Sequence, residues 1–409
     1  MFFGAGNVIF PPYLGLSCGS QWFLGFLCYF AADIGLALLA LFAMLRCGST
    51  DGITKRIGKI PSTILMSAIV LCIGPMIAIP RTAATTYEMS LAPLVSGFSP
   101  LLFSALFFLL ILLLCLQESA VVDIIGKFLT PGLLIGLLAL IITGIISPIG
   151  PVPDTSLVES APAEGIKAGY QTLDVLAALV FGTFILKSAE AKGHTDLKAK
   201  NRVVAGSGIV AGVGLLVVYL GLTYLGVTTS QFFDLTVNRT FLVVSIVRNL
   251  LGFPGVLIFS IVVALACITT AVGLVTSAAD YFSRLSGGRV SYKVLVIAIC
   301  ALSVVISNFG LDQIVSIAAP ILDVVYPPTL VLILLAFFGA YIPNDWVYRC
   351  SAAGALVVSL LTAVSVYGGV DMPFLNHLPL ADLGFGWVVP AAVCGLLGWL
   401  AGLFRKSAH

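Results

Sequence analysis

The sequence predicts an all-α integral membrane protein whose chain crosses the bilayer many times. Of its 409 residues, 60% are hydrophobic and only 9% are charged, whereas about a quarter of the residues in soluble domains carry charge. The apolar residues form long runs between short polar segments, and the alternating pattern of a transmembrane barrel is absent. We therefore expect a bundle of helices that has the lipid bilayer as a partner.

A spanning helix needs about 20 mostly apolar residues, and such runs recur along the chain. We predict about 12 helices, the first of them partial: 1–14, 22–45, 61–93, 100–116, 128–147, 168–187, 203–227, 253–284, 291–308, 312–341, 346–367 and 386–404. Two of these runs are too long to cross straight, so we expect them to tilt, kink or break at prolines: Pro75, Pro80, Pro320, Pro327 and Pro328. Segment 239–252 is predicted to be a short amphipathic helix outside the bilayer.

The first segment, MFFGAGNVIFPPYLG, is predicted to be a broken helix. Gly4 and Gly6 weaken a helix, and Pro11 and Pro12 remove hydrogen bonds from it. Inside a bilayer, freed backbone groups are tolerated only where they line protein or a wet cavity. The break therefore indicates a transport site.

The chain begins partway through this first helix. A full span would need about ten more residues before Gly4 on the cytoplasmic side. We expect either a start codon assigned downstream of the true one, which is the favoured explanation, or a first helix truncated by half.

A second interruption is predicted at residues 181–184, where Gly182 and Thr183 lie within an apolar run. A single glycine in a span usually serves packing, but its pairing with the first break favours a second broken helix. Many inverted-repeat transporters have two repeats of five helices, and the first helix of each repeat, the first and the sixth of the chain, is broken. The predicted single transporter domain has three parts: the first-half repeat 1–147, the second-half repeat 168–341, and two extra helices in 346–404.

The first break favours an amino acid as ligand. Where the helix unwinds, the amides of Gly4, Ala5 and Gly6 lose helical partners and can point at a carboxylate, which the positive end of the next half-helix also attracts. The carbonyls of the preceding half-helix suit a small cation. The apolar surroundings of Phe181 suit an aliphatic side chain.

The basic residues are distributed unevenly between the two sides of the predicted bundle. If the first loop lies outside, the outer loops hold only Lys167, Arg239 and Arg248, and Arg81 alone lies deep in a span. The inner loops and tail hold sixteen: Arg46, Lys55, Arg56, Lys59, Lys127, Lys187, Lys192, Lys198, Lys200, Arg202, Arg284, Arg289, Lys293, Arg349, Arg405 and Lys406. This positive-inside pattern predicts a multi-pass protein of the bacterial cytoplasmic (inner) membrane with a cytoplasmic C-terminus.

Arg81 needs a partner, because a charge within a span is costly unless it is paired or faces water. The candidates are Glu88, which lies about two helical turns further on the same face, Asp33 and Asp323. Structural pairing is the favoured role for Arg81, with gating or coupling as the alternative. In a proton-coupled protein, Asp33 or Glu88 would be the first group to titrate.

Several function classes are excluded by the sequence. A net charge of +2 is too small to indicate a nucleic-acid partner. The nine cysteines occur singly, without a C-x-x-C motif. This spacing argues against a disulfide framework or a zinc site. An integral-membrane enzyme would carry a motif such as H-E-x-x-H or G-x-S-x-G with partners, or an acidic or histidine cluster at one membrane face. The sequence shows none of these features. We expect no cofactor other than a coupling ion, and nothing indicates the oligomeric state.

Four motifs, in order along most of the chain, resemble those of the branched-chain amino acid:cation symporter family. They are FFGAGNVIFPPYLG in the first helix, GPMIAIPRTAATTYEMSLAP in the third, GYQTLDVLAALVFG in the sixth and ACITTAVGLVTSAADYF in the eighth. The resemblance implies twelve helices around a LeuT-type, five-plus-five inverted core. It also implies uptake of leucine, isoleucine and valine driven by Na⁺ or, in some members, by protons.

The resemblance further implies substrate-facing residues in both broken helices: Gly4, Ala5, Gly6, Asn7, Phe181, Gly182 and Thr183. The three residues before Asn7 would give amides to the carboxylate, and Asn7 would steady the unwound stretch or approach a ligand. The other three would face the substrate from the sixth helix.

A sodium site is implied on the eighth helix, where Ala266, Thr269 and Thr270 fit the A-x-x-[ST]-[ST] pattern of LeuT-like transporters; the carbonyl of Phe3 would complete it. These positions share one helical face, and their oxygens are ligands that a hard cation prefers. The alternative is that the threonines bond back to the preceding turn.

The predicted function is therefore uptake of branched-chain amino acids with a cation, by alternating access, with Na⁺ as the favoured ion. The alternatives are a proton-coupled carrier of another small neutral amino acid and an inactive relative that lacks the first half-helix.

Overall fold

A computed structural model describes residues 4–48, 50–95, 97–116, 121–191, 196–339 and 341–406. Helices joined by short loops account for most of these residues, and no strand occurs among them, which confirms the all-α prediction. The first part of the chain forms α1 (Ala5–Cys18), α2 (Trp22–Phe30), α3 (Leu36–Cys47), α4 (Thr50–Thr54), α5 (Lys59–Leu71), α6 (Ala78–Thr86), α7 (Pro100–Leu116) and α8 (Val121–Ile146). The second part forms α9 (Ala161–Thr172), α10 (Asp174–Ala191), α11 (Leu197–Val227), α12 (Arg239–Leu285), α13 (Tyr292–Ser307), α14 (Leu311–Phe337), α15 (Asp345–Gly368), α16 (Pro373–Asn376) and α17 (Val388–Lys406).

Many of these helices have the length and composition of membrane spans. Among the described residues, six segments meet that criterion: Gly6–Cys47, Lys59–Leu91, Asn201–Val227, Arg239–Leu285, Leu311–Phe337 and Asp345–Gly368. Shorter apolar helices lie at Pro100–Leu116, Pro131–Ile146, Tyr292–Ser307 and Val388–Gly402. The chain is thus a multi-pass membrane protein, as its composition predicts.

Two helix interruptions lie where glycine and proline predict them. Between α5 and α6, Gly74 leaves the helical conformation (φ −96°, ψ −130°) just before Pro75. Within α12, Gly252 has φ +65° and ψ −165°, a conformation that glycine adopts at little cost. The predicted kink in segment 61–93 and the predicted boundary between 239–252 and the following span are both confirmed.

Segment 312–341 does not break at its prolines, because α14 continues from Leu311 to Phe337 with all three prolines inside it; tilting or kinking of this segment stays a prediction. Proline removes a donor, but a membrane helix can tolerate this where hydroxyls and neighbouring helices satisfy the backbone. Next to the proline pair, the Thr329 hydroxyl donates to the Val325 carbonyl at 2.7 Å.

The sixth predicted span is broken, although not at the predicted residues. The break falls at Leu173, which has φ +71° and separates α9 from α10. Residues 181–184 lie inside the continuous helix α10, so the predicted interruption at Gly182 and Thr183 is wrong. A Cβ on Gly182 would lie 2.1 Å from Met44 Sδ in α3. Gly182 is therefore a packing glycine within the helix.

Contacts divide the chain into two compact units. The first contains Met1–Phe30, Val70–Thr172 and Val213–Ile317; in it, α1 packs against α2, α6, α9 and α12. The second contains Ala31–Ile69, Leu173–Gly212 and Ala318–His409, where α3 packs against α10 and α15 against α17. The division into repeats 1–147 and 168–341 stays a prediction.

Candidate functional site

The beginning of α1 carries the amides predicted to bind the substrate. Gly4 is extended (φ −124°, ψ −171°), and the helix begins at Ala5. The prediction that Ala5 and Gly6 are unwound is therefore wrong, because they form the first helical turn. The first amides of a helix have no partner within it, and they carry the positive end of the helix dipole. The backbone N–H groups of Ala5 and Gly6 are thus donors because they lie in the first turn of α1, and not because the chain is unwound there.

Asn7 fixes this helix start on two sides. Its Oδ1 accepts a hydrogen bond from the backbone amide of Gly4 at 3.4 Å. The backbone amide of Asn7 donates to the Gly4 carbonyl at 3.2 Å. Its Nδ2 donates to the hydroxyl of Tyr219 in α11, and the Tyr219 ring packs edge-on against Tyr29 in α2. These contacts link the start of α1 to α11, and the role of Asn7 in the transport site stays a prediction.

Helix α12 brings one of the two predicted threonines to the start of α1. A Cβ on Gly4 would lie 3.6 Å from Thr270 Cγ2 and 3.9 Å from Thr270 Oγ1. The Thr269 hydroxyl donates to the Ala266 carbonyl at 2.9 Å, which is the local back-bond considered as an alternative. Phe3, the other predicted sodium ligand, lies outside the described residues.

Arg81 caps the end of α9. It is only 5% exposed, and its Nη1 donates to the Gln171 carbonyl at 2.6 Å while its Nη2 donates to the Thr172 carbonyl at 3.1 Å. The last carbonyls of a helix lack helical partners and form the negative end of its dipole. The guanidinium thus donates hydrogen bonds to carbonyls at the end of α9, where the break at Leu173 removes their helical partners.

The same guanidinium lies against the first turns of α1. A Cβ on Gly6 would be 2.8 Å from Arg81 Nη2 and 3.1 Å from its Cζ, so any larger residue at this position would require the guanidinium to shift. One turn further along, the ring centroid of Phe10 lies 5.7 Å from Arg81 Cζ. Arg81 therefore brings the start of α1 and the end of α9 together within the first unit.

The predicted pairing of Arg81 with Glu88 is wrong. Glu88 Oε2 accepts from the Thr240 hydroxyl at 2.6 Å, and Oε1 accepts from the Leu311 amide at 2.9 Å. A carboxylate readily accepts several hydrogen bonds, and here both oxygens are used to hold the first turns of α12 and α14. The main-chain acceptors of Arg81 have no residue signature, so the sequence does not reveal them.

An ion pair lies beside Tyr13, in the second half of α1. Arg239 Nη1 lies 2.5 Å from Asp312 Oδ1, and its Cζ lies 4.3 Å from the ring centroid of Tyr13. The Tyr13 hydroxyl donates to the Leu235 carbonyl at 2.8 Å. These contacts tie the loop before α12 to both α1 and α14.

An acid in that loop is held in its charged form. The hydroxyl and the amide of Thr236 both donate to Asp234 Oδ1, at 2.5 and 2.9 Å. These bonds hold the pKa of Asp234 below its ordinary value. The loop therefore carries a negative charge near neutral pH.

The chain matches the family model described as branched-chain amino acid transport protein over residues 1–405. It is 32% identical over 408 residues to the branched-chain amino acid permease BrnQ of Salmonella typhimurium, covering 97% of this chain and 92% of that protein. It is 34% identical over 417 residues to the permease BraB of Bacillus subtilis, covering 99% of this chain and 93% of that protein. These relatives are transporters and not enzymes.

Solved transporter structures share the fold. The nucleobase-cation-symport-1 family transporter Mhp1, in a closed conformation, matches with a TM-score of 0.65 at 12% identity, over 99% of this chain and 91% of that one. MhsT in complex with L-phenylalanine matches with a TM-score of 0.58 at 16% identity, over 98% and 96%. At this identity the likeness shows the fold alone, and that fold is the LeuT type.

Proposed function

The chain belongs to the branched-chain amino acid transport protein family, and on this premise we propose that it takes up leucine, isoleucine and valine with Na⁺. It works by alternating access, in which joint binding of substrate and ion allows the transporter to expose its site to the other side of the membrane. It lies in the bacterial cytoplasmic membrane with its C-terminus in the cytoplasm, as the distribution of basic residues favours.

The substrate carboxylate binds at the start of α1. The observation that carries this assignment is the buried guanidinium of Arg81, whose Nη2 would be 2.8 Å from a Cβ on Gly6. A positive helix end and a fixed cation both favour an anion at this position. The amides of Ala5 and Gly6 supply directed hydrogen bonds to the anion. The roles of Phe181 and Thr183 in holding the substrate side chain stay a prediction, whereas the close approach of Met44 to Gly182 favours packing as the role of Gly182.

The Na⁺ ion binds beside Gly4, where Thr270 of α12 supplies a hydroxyl oxygen and Ala266 a carbonyl oxygen. The hydroxyl of Thr269 donates its proton to the Ala266 carbonyl, yet its lone pairs can still reach a cation. Oxygen ligands without a dedicated carboxylate suit a singly charged, hard ion. The carbonyl of Phe3 remains the proposed ligand from the first helix.

Proton coupling is the second candidate, and Arg81 is the observation that favours it. A guanidinium is permanently charged, and this one already lies at the two helix ends where a transported cation would act. In that case the fixed charge would stabilise the substrate carboxylate, and the driving ion would bind elsewhere.

Uptake of labelled isoleucine into proteoliposomes tests the proposal. An inward Na⁺ gradient should raise initial uptake well above that with a choline gradient, and unlabelled leucine and valine should compete. Protein-free liposomes provide the background. Uptake that ignores Na⁺ but follows an inward proton gradient supports the second candidate. Absence of uptake of all three amino acids under both gradients contradicts transport by this protein.

A further inference from the structure

Two cavities meet at one end of the second unit, and the exposed side chain of Tyr341 lines both. The smaller one, about 570 Å³, lies among the end of α3, the segment that follows it and the end of α14. The larger one, about 990 Å³, extends from the loop before α15 along α15 and α17. Because both cavities open at helix ends, they lie at the depth where a membrane helix meets lipid headgroups.

The smaller cavity is basic. Arg46, Lys55 and Arg56 line it, and no acidic side chain among the described residues does. Asp345, which lines the larger cavity, forms an ion pair with Arg56, with Oδ1 2.6 Å from Arg56 Nε. Basic pockets between helices at the membrane surface are typical sites for acidic lipid headgroups.

Two of these cations are held in place before any ligand binds. Arg46 Nη1 donates to the Phe337 carbonyl at 2.6 Å, and its Cζ lies 4.4 Å from the Phe337 ring centroid. Arg56 donates to the carbonyls of Ile342 and Pro343 at 2.8 and 2.6 Å. Charges fixed in this way lose little side-chain freedom on binding an anion.

The larger cavity has an apolar wall that suits an acyl chain. Leu335, Val347 and Ala392 lie along it, together with the exposed side chains of Leu396 and Trp399. A tryptophan at this position is typical of the bilayer interface. An inorganic anion would use only the basic cavity, whereas a ligand with a charged head and an apolar tail would use both.

We propose that the two cavities together bind one anionic phospholipid. Its phosphate lies in the smaller cavity against Arg46 and Lys55, and an acyl chain follows the groove between α15 and α17. A zwitterionic phospholipid fits less well, because its ammonium group would enter a cavity lined by three cations. This proposal concerns lipid binding and does not depend on the transported substrate or ion.

Native mass spectrometry of the purified full chain tests the proposal. The protein is equilibrated with equal amounts of phosphatidylglycerol and phosphatidylcholine, and retained lipid is counted. We expect one retained phosphatidylglycerol per chain. Equal retention of the two lipids by the wild-type protein would overturn the proposal, and this measurement requires no variant to fold.

The double variant Arg46→Gln, Lys55→Gln removes the two charges assigned to the phosphate. Since each basic residue near an anionic lipid contributes about a fivefold preference, the preference for phosphatidylglycerol should fall by about 25-fold. Arg284→Gln, Lys293→Gln is the matched control, because it removes the same charges from the first unit and should leave the preference unchanged. Equal loss in both variants, or in neither, contradicts the site.

Two further arms identify the occupant. Excess inorganic phosphate should not displace the retained phosphatidylglycerol, because it cannot replace the acyl chain. Displacement by phosphate alone would show a simple anion site. A dimer that persists in every lipid, with the groove protected from labelling of a cysteine placed at Leu396, would show that a second copy covers the groove. Either result overturns the proposal.

Discussion

The start of α1 and the end of α9 are both open helix ends in the first unit, and they meet opposite partners. At α1 the main chain offers amide donors, and the amide of Gly4, the residue before the helix, donates to Asn7 Oδ1. At α9 it offers carbonyl acceptors, and two of these receive the guanidinium of Arg81. The donor end suits a ligand that arrives as an anion, whereas the acceptor end is satisfied by a cation built into the protein.

This comparison shows how one arginine can serve two helix ends of opposite polarity. Arg81 neutralises the negative end of α9 and adds to the positive potential at the start of α1. It reaches both because Gly6 has no side chain. If the α1 amides bind a carboxylate as proposed, we expect this binding to depend on Arg81, a residue that need not touch the substrate. Two substitutions test this dependence, and two more test the proposed ion site on α12 and the packing of α10.

Arg81→Gln should have the largest effect. Each lost hydrogen bond from a charged donor is worth about 1.5–3 kcal/mol, so isoleucine uptake should fall at least about a hundredfold. Arg81→Lys keeps the charge without the two-pronged geometry and should recover part of the activity. Initial rates are measured in proteoliposomes at matched protein content. Wild-type kcat and KM in Arg81→Gln would contradict a role for Arg81 at either helix end.

Gly6→Ala should have the next largest effect, because the added Cβ would lie 2.8 Å from Arg81 Nη2. Overpacking of this kind costs about 1–3 kcal/mol, which should lower kcat/KM for isoleucine by roughly tenfold or more. Gly136→Ala is the matched control, since a Cβ on this glycine of α8 would meet no atom within 4 Å. The effect of Gly6→Ala should shrink in the Arg81→Lys background. A defect in Gly136→Ala as large as that in Gly6→Ala would show that the crowding is unimportant.

Thr270→Val should raise the Na⁺ concentration needed for half-maximal uptake by about tenfold, the cost of one lost ligand worth about 1.4 kcal/mol. The shape of the side chain is kept while its oxygen is removed. Thr269→Val should have a smaller effect, because the structure records Thr270 rather than Thr269 beside Gly4. Unchanged Na⁺ dependence in both variants would remove the ion site from α12.

Gly182→Ala should have the smallest effect on substrate affinity. Its Cβ would overlap Met44 Sδ at 2.1 Å, so the thermal stability of the purified protein should fall, and Met44→Ala should restore it. The KM for isoleucine should stay within about twofold of wild type, since the change acts on packing. A raised KM with unchanged stability would place Gly182 at the substrate instead.

Interruptions caused by glycine and proline were predictable from sequence, because these residues act on their own backbone. Gly252 and the Gly74–Pro75 step follow that rule. The break at Leu173 does not, since a leucine with positive φ is uncommon and no residue type announces it. Gly182 has the sequence signature of a break, yet it lies in a helix because Met44 packs against it.

The candidate site was predictable in part for the same reason. The structure brings three of the predicted site residues, Gly4, Asn7 and Thr270, together near the start of α1. It does not reveal the partners of Arg81, because main-chain carbonyls exist at every residue and only the fold selects those of Gln171 and Thr172. The assignment of Glu88 to Arg81 fails because helical spacing within one segment ignores contacts from Thr240 and Leu311.

The most direct test is an experimental structure of the protein with isoleucine and Na⁺ bound. We expect carboxylate oxygens at hydrogen-bond distance, about 2.7–3.2 Å, from the amide nitrogens of Ala5 and Gly6. We also expect Arg81 still to donate to the carbonyls of Gln171 and Thr172. A carboxylate bound away from the start of α1, or a guanidinium turned away from the end of α9, would contradict these expectations.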